Sequence, residues 1–139
     1  MASYQDIMTL LTEQLYGLSN LPPVVWPNTE YTSEEDVLYL EVYLQPAESE
    51  NHFLGDYAPT YEPGNFQINV VEDRGVGFGT AYEWVDKIVG HFKRGTTLTN
   101  SGVDINVRIQ KAFPRPEFYN PDGRYVVPID IRYICFMPI

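Results

Sequence analysis

Apolar side chains recur at Tyr4, Ile7, Met8, Leu11 and Leu15, the spacing of one helical face, and Gly17 stops the run. Ser3 and Asp6 suit its start, the hydroxyl accepting an amide proton and the carboxylate facing the positive end of the helix dipole. A helix over residues 4–16 with one buried face is predicted. A second stripe, Ala81, Trp84, Val85, Ile88 and Phe92, follows Thr80–Glu83, which has the form of a capping box. Lys93, Arg94 and Gly95 close it. Elsewhere the period drops to two, the mark of half-buried strands. Leu38, Leu40, Val42 and Leu44 alternate with Tyr39, Glu41 and Tyr43; Phe66, Ile68 and Val70 alternate with Asn65, Gln67 and Asn69. Val103, Ile105, Val107 and Ile109 do the same against Asp104, Asn106, Arg108 and Gln110. Val127, Ile129, Ile131, Tyr133 and Cys135 alternate with Asp130 and Arg132. Val24-Val25-Trp26 is a short extended piece between prolines, and Thr97-Leu98-Thr99 is placed to pair ahead of a turn at residues 100–102. Pro128 lacks an amide donor, which predicts an edge or a bulge there.

The order helix, strands, helix, strands predicts an α+β fold: a mainly antiparallel sheet of about four to five strands, with both helices packed on one face. The other face stays wet and carries Tyr39, Glu41, Tyr43, Asn65, Gln67, Asn69, Asn106 and Arg108. The chain reads as one domain, residues 1–139, with long aperiodic loops over about 46–64 and 111–123.

Charge sharpens this picture. The net charge is −10, against an exposed nucleic-acid-binding face, because phosphate contact needs clustered Lys and Arg. Residues 1–73 hold 13 acids and no Lys or Arg, whereas residues 74–139 hold 6 acids and all 9 bases. Faces of opposite sign are expected, suited to docking one copy on another or to an acidic surface that repels passing DNA. No apolar run is long enough to span a bilayer, the N-terminus lacks the layout of a signal peptide, and the single Cys135 reads as a buried thiol in a reducing compartment.

Catalytic chemistry finds little purchase. His52 and His91 are far apart and neither has a His or Cys at ligand spacing, so no metal or cofactor site is expected. There is no nucleophile elbow and no cysteine-protease motif. Glu34-Glu35-Asp36 is consecutive in a polar loop rather than flanking a cleft. Gly75-Val76-Gly77-Phe78-Gly79 precedes a helix but lacks the lysine of a phosphate loop, and reads as a flexible connection. An enzyme would have to rest on His52 with Asp56 or on Glu83 with His91, and neither pair has an orienting third group. The 11 Tyr, 7 Phe and 2 Trp suit protein interfaces better.

Several stretches, in order, resemble the small tail terminator proteins of long-tailed bacteriophages. They are Leu15-Tyr16-Gly17-Leu18 with Leu21-Pro22-Pro23-Val24-Val25-Trp26, Tyr39-Leu40-Glu41-Val42-Tyr43-Leu44 with Pro46-Ala47-Glu48, and Gly64-Asn65-Phe66-Gln67-Ile68-Asn69-Val70. Phe92-Lys93-Arg94-Gly95-Thr96-Thr97-Leu98, Asp122-Gly123-Arg124-Tyr125 and Val127-Pro128-Ile129 complete the series. The resemblance implies a non-enzymatic virion protein of the tail–neck region, assembled in the host bacterial cytoplasm. It implies a homo-oligomeric ring, a hexamer, that caps the tail tube, ends tube polymerisation and joins the tail to the head–tail connector. Its partners would be its own copies, the tail tube protein and neck proteins, with DNA passing through the bore unbound and no membrane involved. Another neck or head-completion protein, or a tail tube protein, is the alternative. The tyrosines beside acidic loop residues mark interface candidates at Glu48, Glu50, Phe53, Asp56, Tyr57 and Tyr61 in the first loop. Arg115, Phe118, Tyr119 and Arg124 are the candidates in the second.

Overall fold

A computed structural model describes residues 4–29, 37–47, 60–100, 102 and 105–137. Helices α1 (Tyr4–Tyr16) and α2 (Gly79–His91) lie on the two apolar stripes. Ile7, Leu10, Leu11 and Leu15 of α1 are buried, as are Ala81, Val85 and Ile88 of α2 and Phe92 just beyond it. Ser3 lies outside the described residues. Thr80 does not cap α2: the helix begins at Gly79, its N-cap residue is Phe78, and no side chain caps it. A cap residue must stand at the helix boundary, and Thr80 is already inside the first turn.

The expected sheet of about four to five antiparallel strands is corrected by the structure, which among the described residues is mostly β: seven strands in a curled mixed sheet, a half-barrel, with two helices. The strands are β1 (Val24–Val25), β2 (Tyr39–Pro46), β3 (Thr60–Glu72), β4 (Thr97–Leu98), β5 (Asn106–Pro114), β6 (Phe118–Tyr119) and β7 (Tyr125–Met137). They run in the order β1-β2-β3-β7-β5-β4, and β6 also pairs with β7. β1 joins β2 in parallel, which makes the sheet mixed; every other pair is antiparallel. β1, β4 and β6 are two-residue pieces, too short to show a period.

The two loops also shrink. β3 begins at Thr60 and pairs along its whole length with β7, from Thr60 opposite Met137 to Glu72 opposite Tyr125. β5 runs on to Pro114, and β6 and β7 form a hairpin across residues 120–124. That turn is closed by the Gly123 amide on the Asn120 carbonyl at 2.8 Å and the Arg124 amide on Asn120 Oδ1 at 2.9 Å. The register of β5 slips between Ile109 and Lys111. The extra residue reverses the alternation, so Ala112 rather than Lys111 continues the inward row of Val107 and Ile109.

Pro128 sits in β7, in the middle of the sheet rather than at its edge, opposite Asn69. Its carbonyl accepts the Arg115 amide at 2.8 Å, and in a strand the amide and carbonyl of one residue point the same way. The missing donor therefore faces the gap between β5 and β6, where no ladder bond is lost.

One face of the sheet carries the core. Leu40, Val42, Phe66, Ile68, Val70, Val107, Ile109, Val127, Ile129, Ile131, Tyr133 and Cys135 pack there against both helices. A small second cluster on the opposite face joins Tyr39, Val71 and Val126, with Val25 against it. Tyr39 is thus 6% exposed, not one of the wet residues its alternation suggested, and Asn69 is buried to the same degree.

Candidate interaction surfaces

The face away from the helices is polar and internally bonded. Asn65 Nδ2 donates to Gln45 Oε1 at 2.9 Å and lies 3.1 Å from Asp130 Oδ1. Gln45 Nε2 donates to Gln67 Oε1 at 3.0 Å, and Gln67 Nε2 to Asn69 Oδ1 at 2.8 Å. Asn69 Nδ2 reaches Glu41 Oε1 at 3.4 Å. Gln45, Gln67 and Asn69 each both give and receive, whereas Asn65 donates twice and its buried Oδ1 has no partner among the described residues, so most of the polar capacity of this face is spent within the chain. Arg115 meets Asp130 at 3.7 Å while remaining largely exposed.

One end of the sheet is apolar and open to solvent. The loop between β3 and α2 takes positive φ at Gly75 and Gly77, a conformation that favours glycine, and leaves Val76 56% and Phe78 67% exposed. The β6–β7 hairpin brings Phe118 and Tyr119, 46% and 60% exposed, to the same end. A cleft of about 350 Å³ lies between the two, lined by Asp73, Gly75, Gly77, Phe78, Glu117, Tyr119 and Tyr125. Its floor is braced: Tyr82 Oη donates to Glu117 Oε2 at 3.0 Å, Phe78 stands edge-on to Tyr82, and the Arg74 guanidinium lies 5.2 Å from the centre of the Tyr119 ring. Burial, then the Glu117 carboxylate and Tyr125, push the Tyr82 hydroxyl up to about 12. Arg124 pairs with Asp73 at 2.8 Å and lies over the Tyr39 ring.

The β5 side of the molecule is cationic. A cleft of about 400 Å³ is lined by Arg94, Gly95, Arg108, Ile109, Gln110 and Ile134. A neighbouring one of about 480 Å³ adds Lys93 and Lys111. Across the sheet, β2 carries Glu41, and the chain entering and leaving β2 holds acids and no base from residue 27 to residue 59.

The interface candidates separate. Glu48, Glu50, Phe53, Asp56 and Tyr57 lie outside the described residues, and Tyr61 is placed only as a backbone position in β3 opposite Phe136. Tyr119 lines one cleft with Phe78, Phe118 is exposed on the opposite face of β6, Arg115 lies on the polar face, and Arg124 is mostly buried as the partner of Asp73. Val76 and Phe78 escaped the sequence reading. The signal was present, since apolar side chains set between glycines in a connection have no periodic element to bury them.

For the catalytic pairs, His52 is outside the described residues. His91 is occupied in structure: its Nε2 hydrogen-bonds the Gln14 carbonyl, which fixes the proton on that nitrogen, and Gln14 Nε2 donates to the His91 carbonyl at 2.9 Å. Cys135 is fully buried, and burial with the nearby Glu62 pushes its thiol up to about 11, away from the reactive thiolate. Among the described residues no group of three or more His, Cys, Asp or Glu could hold a metal ion, and no helix is long and apolar enough to cross a membrane.

The sequence matches the family model described as phage tail terminator protein over residues 6–133. No curated protein matches it. Among solved structures that match, one superposes with a TM-score of 0.72 at 24% sequence identity, covering 97% of this chain and 96% of its own. At that identity the likeness speaks to the fold alone.

Proposed function

The chain belongs to the phage tail terminator family, and on that premise we propose that it forms a ring on the end of the tail tube, stops further tube subunits from adding and offers its other side to the head–tail connector. The family is one of structural phage proteins, so the coarse function is that of a virion component. The family match across nearly the whole chain carries this reading. The apolar end supports it: Phe78 and Tyr119, exposed side chains from two separate connections that line one braced cleft, form a contact surface of the kind that protein partners cover. The negative net charge suits a bore through which DNA must move without sticking.

The test is location and consequence. In intact particles a single ring of this protein is expected between tube and connector; copies distributed along the tube would make it a tube subunit instead. Phages carrying Phe78→Ser with Tyr119→Ser are expected to yield folded protein but tails that fail to join heads or that vary in length. Normal particles from that variant would remove the apolar end from the mechanism.

A further inference from the structure

The two edges of the sheet are each half covered. β1 pairs with β2 only at Leu40 and Glu41. β4 pairs with β5 only at Val107 and Arg108, and the preceding turn bonds Ile109. Among the described residues no strand pairs with the outer side of Val42–Pro46 or of Gln110–Pro114. The register carries these two stretches to the same level: Tyr43, Gln67, Asp130 and Phe113 form one row across the sheet, and Gln45, Asn65, Arg132 and Lys111 form another. β2, β3, β7 and β5 alternate in direction, so β2 and β5 run oppositely. A second copy placed beside the first without inversion therefore sets its β2 antiparallel to β5.

We infer that copies of this chain join edge to edge, the open half of β2 in one adding as a strand to the open half of β5 in the next. The inference rests on the ring proposed above and specifies how its subunits meet. Level pairing sets Tyr43 against Phe113 on the polar face, Leu44 against Ala112 on the helix face, and Gln45 against Lys111. Tyr43 is 40% exposed in the single chain, while Leu44, Ala112 and Phe113 are partly exposed, so each aromatic and aliphatic contact covers surface now wet. The main-chain bonds come from edge groups that have no strand partner now. Charge agrees with this partner. Arg94, Arg108 and Lys111 line the β5 edge, and β2 carries Glu41. The contact is heterologous, each copy using two different edges, and a curled sheet turns such a contact toward closure.

Cysteine pairs test it in the full-length chain. Tyr43→Cys with Phe113→Cys, and Gln45→Cys with Lys111→Cys, are treated with dibromobimane, which bridges only close thiols, after ring formation is scored by mass photometry and electron microscopy. A ladder of covalent multiples of the chain from either pair, absent from each single-cysteine variant, is the expected result. Assembled rings with neither pair bridged would overturn the edge pairing and leave the ring standing. Chains that stay single, alone and with purified tails, would overturn both. Bridging to a protein other than this chain would assign the edge to a different partner and overturn the inference as well.

Discussion

Tyr133 carries a buried hydroxyl without a hydrogen-bond partner among the described residues, and Gly64 stands directly across from it on β3. A Cβ at position 64 would collide with the Tyr133 ring. Gly64→Ala is therefore expected to lower stability by about 1–3 kcal/mol, the usual cost of overpacking a core, read as a lower urea midpoint. An unchanged midpoint would mean the ring has room to retreat. Tyr133→Phe removes a desolvated hydroxyl with nothing to lose and is expected to be neutral or stabilising by up to about 1 kcal/mol. Alkaline titration tests the same region. The Cys135 thiol has a folded pKa raised from 9.0 to about 11, so the fold favours its neutral form. That contribution is whole below pH 9 and disappears as pH rises through 11. Stability should fall across that window, and Cys135→Ala should flatten the fall; parallel curves for the two proteins would exclude Cys135 as its source.

Between elements, the tie of α1 to α2 has an unusual form. Gln14 and His91 each bond the main-chain carbonyl of the other, so neither bond needs the partner's side chain. Gln14→Ala and His91→Ala are each expected to cost about 1 kcal/mol, with the double variant close to their sum. A strong coupling energy in that cycle would show that the side chains depend on each other directly. Both helices and the four long strands were legible because their apolar positions keep one period for most of their length. β5 past Ile109 was not, because the bulge shifts the inward row to Ala112 and the run Lys111-Ala112-Phe113-Pro114 then looks aperiodic. The start of β3 was hidden by Pro63 and Gly64, residues that read as loop yet here lie flat against β7. Pro128 misled for a related reason: its missing donor matters only on the side it faces, which sequence does not state. Of the surface, Phe118 and Tyr119 were legible as aromatics in a connection, but the cleft that Tyr119 shares with Phe78 depends on β6 pairing with β7.

For the whole molecule, described bases gather beside β5, and the sequence on either side of β2 is acidic. Self-association should therefore weaken as salt rises, with the change mainly in the association rate, since screening at about 1 M salt shrinks the reach of a charge to about 3 Å. Lys111→Glu should slow association further at low salt and lose most of the salt dependence. Sedimentation and stopped-flow light scattering would check both, and association that strengthens with salt would make apolar contact the governing force.

β1 and β4 have a consequence beyond docking. Sheet edges are a hazard for any protein held at high concentration, because they can template fibrils from stretches of six or seven well-matched residues. Here each edge is occluded at one end by a two-residue strand, and the remaining stretches stop at Pro46 and Pro114. What is left is too short to seed amyloid. Its adhesive margins are thus trimmed below the length at which they become dangerous at high concentration.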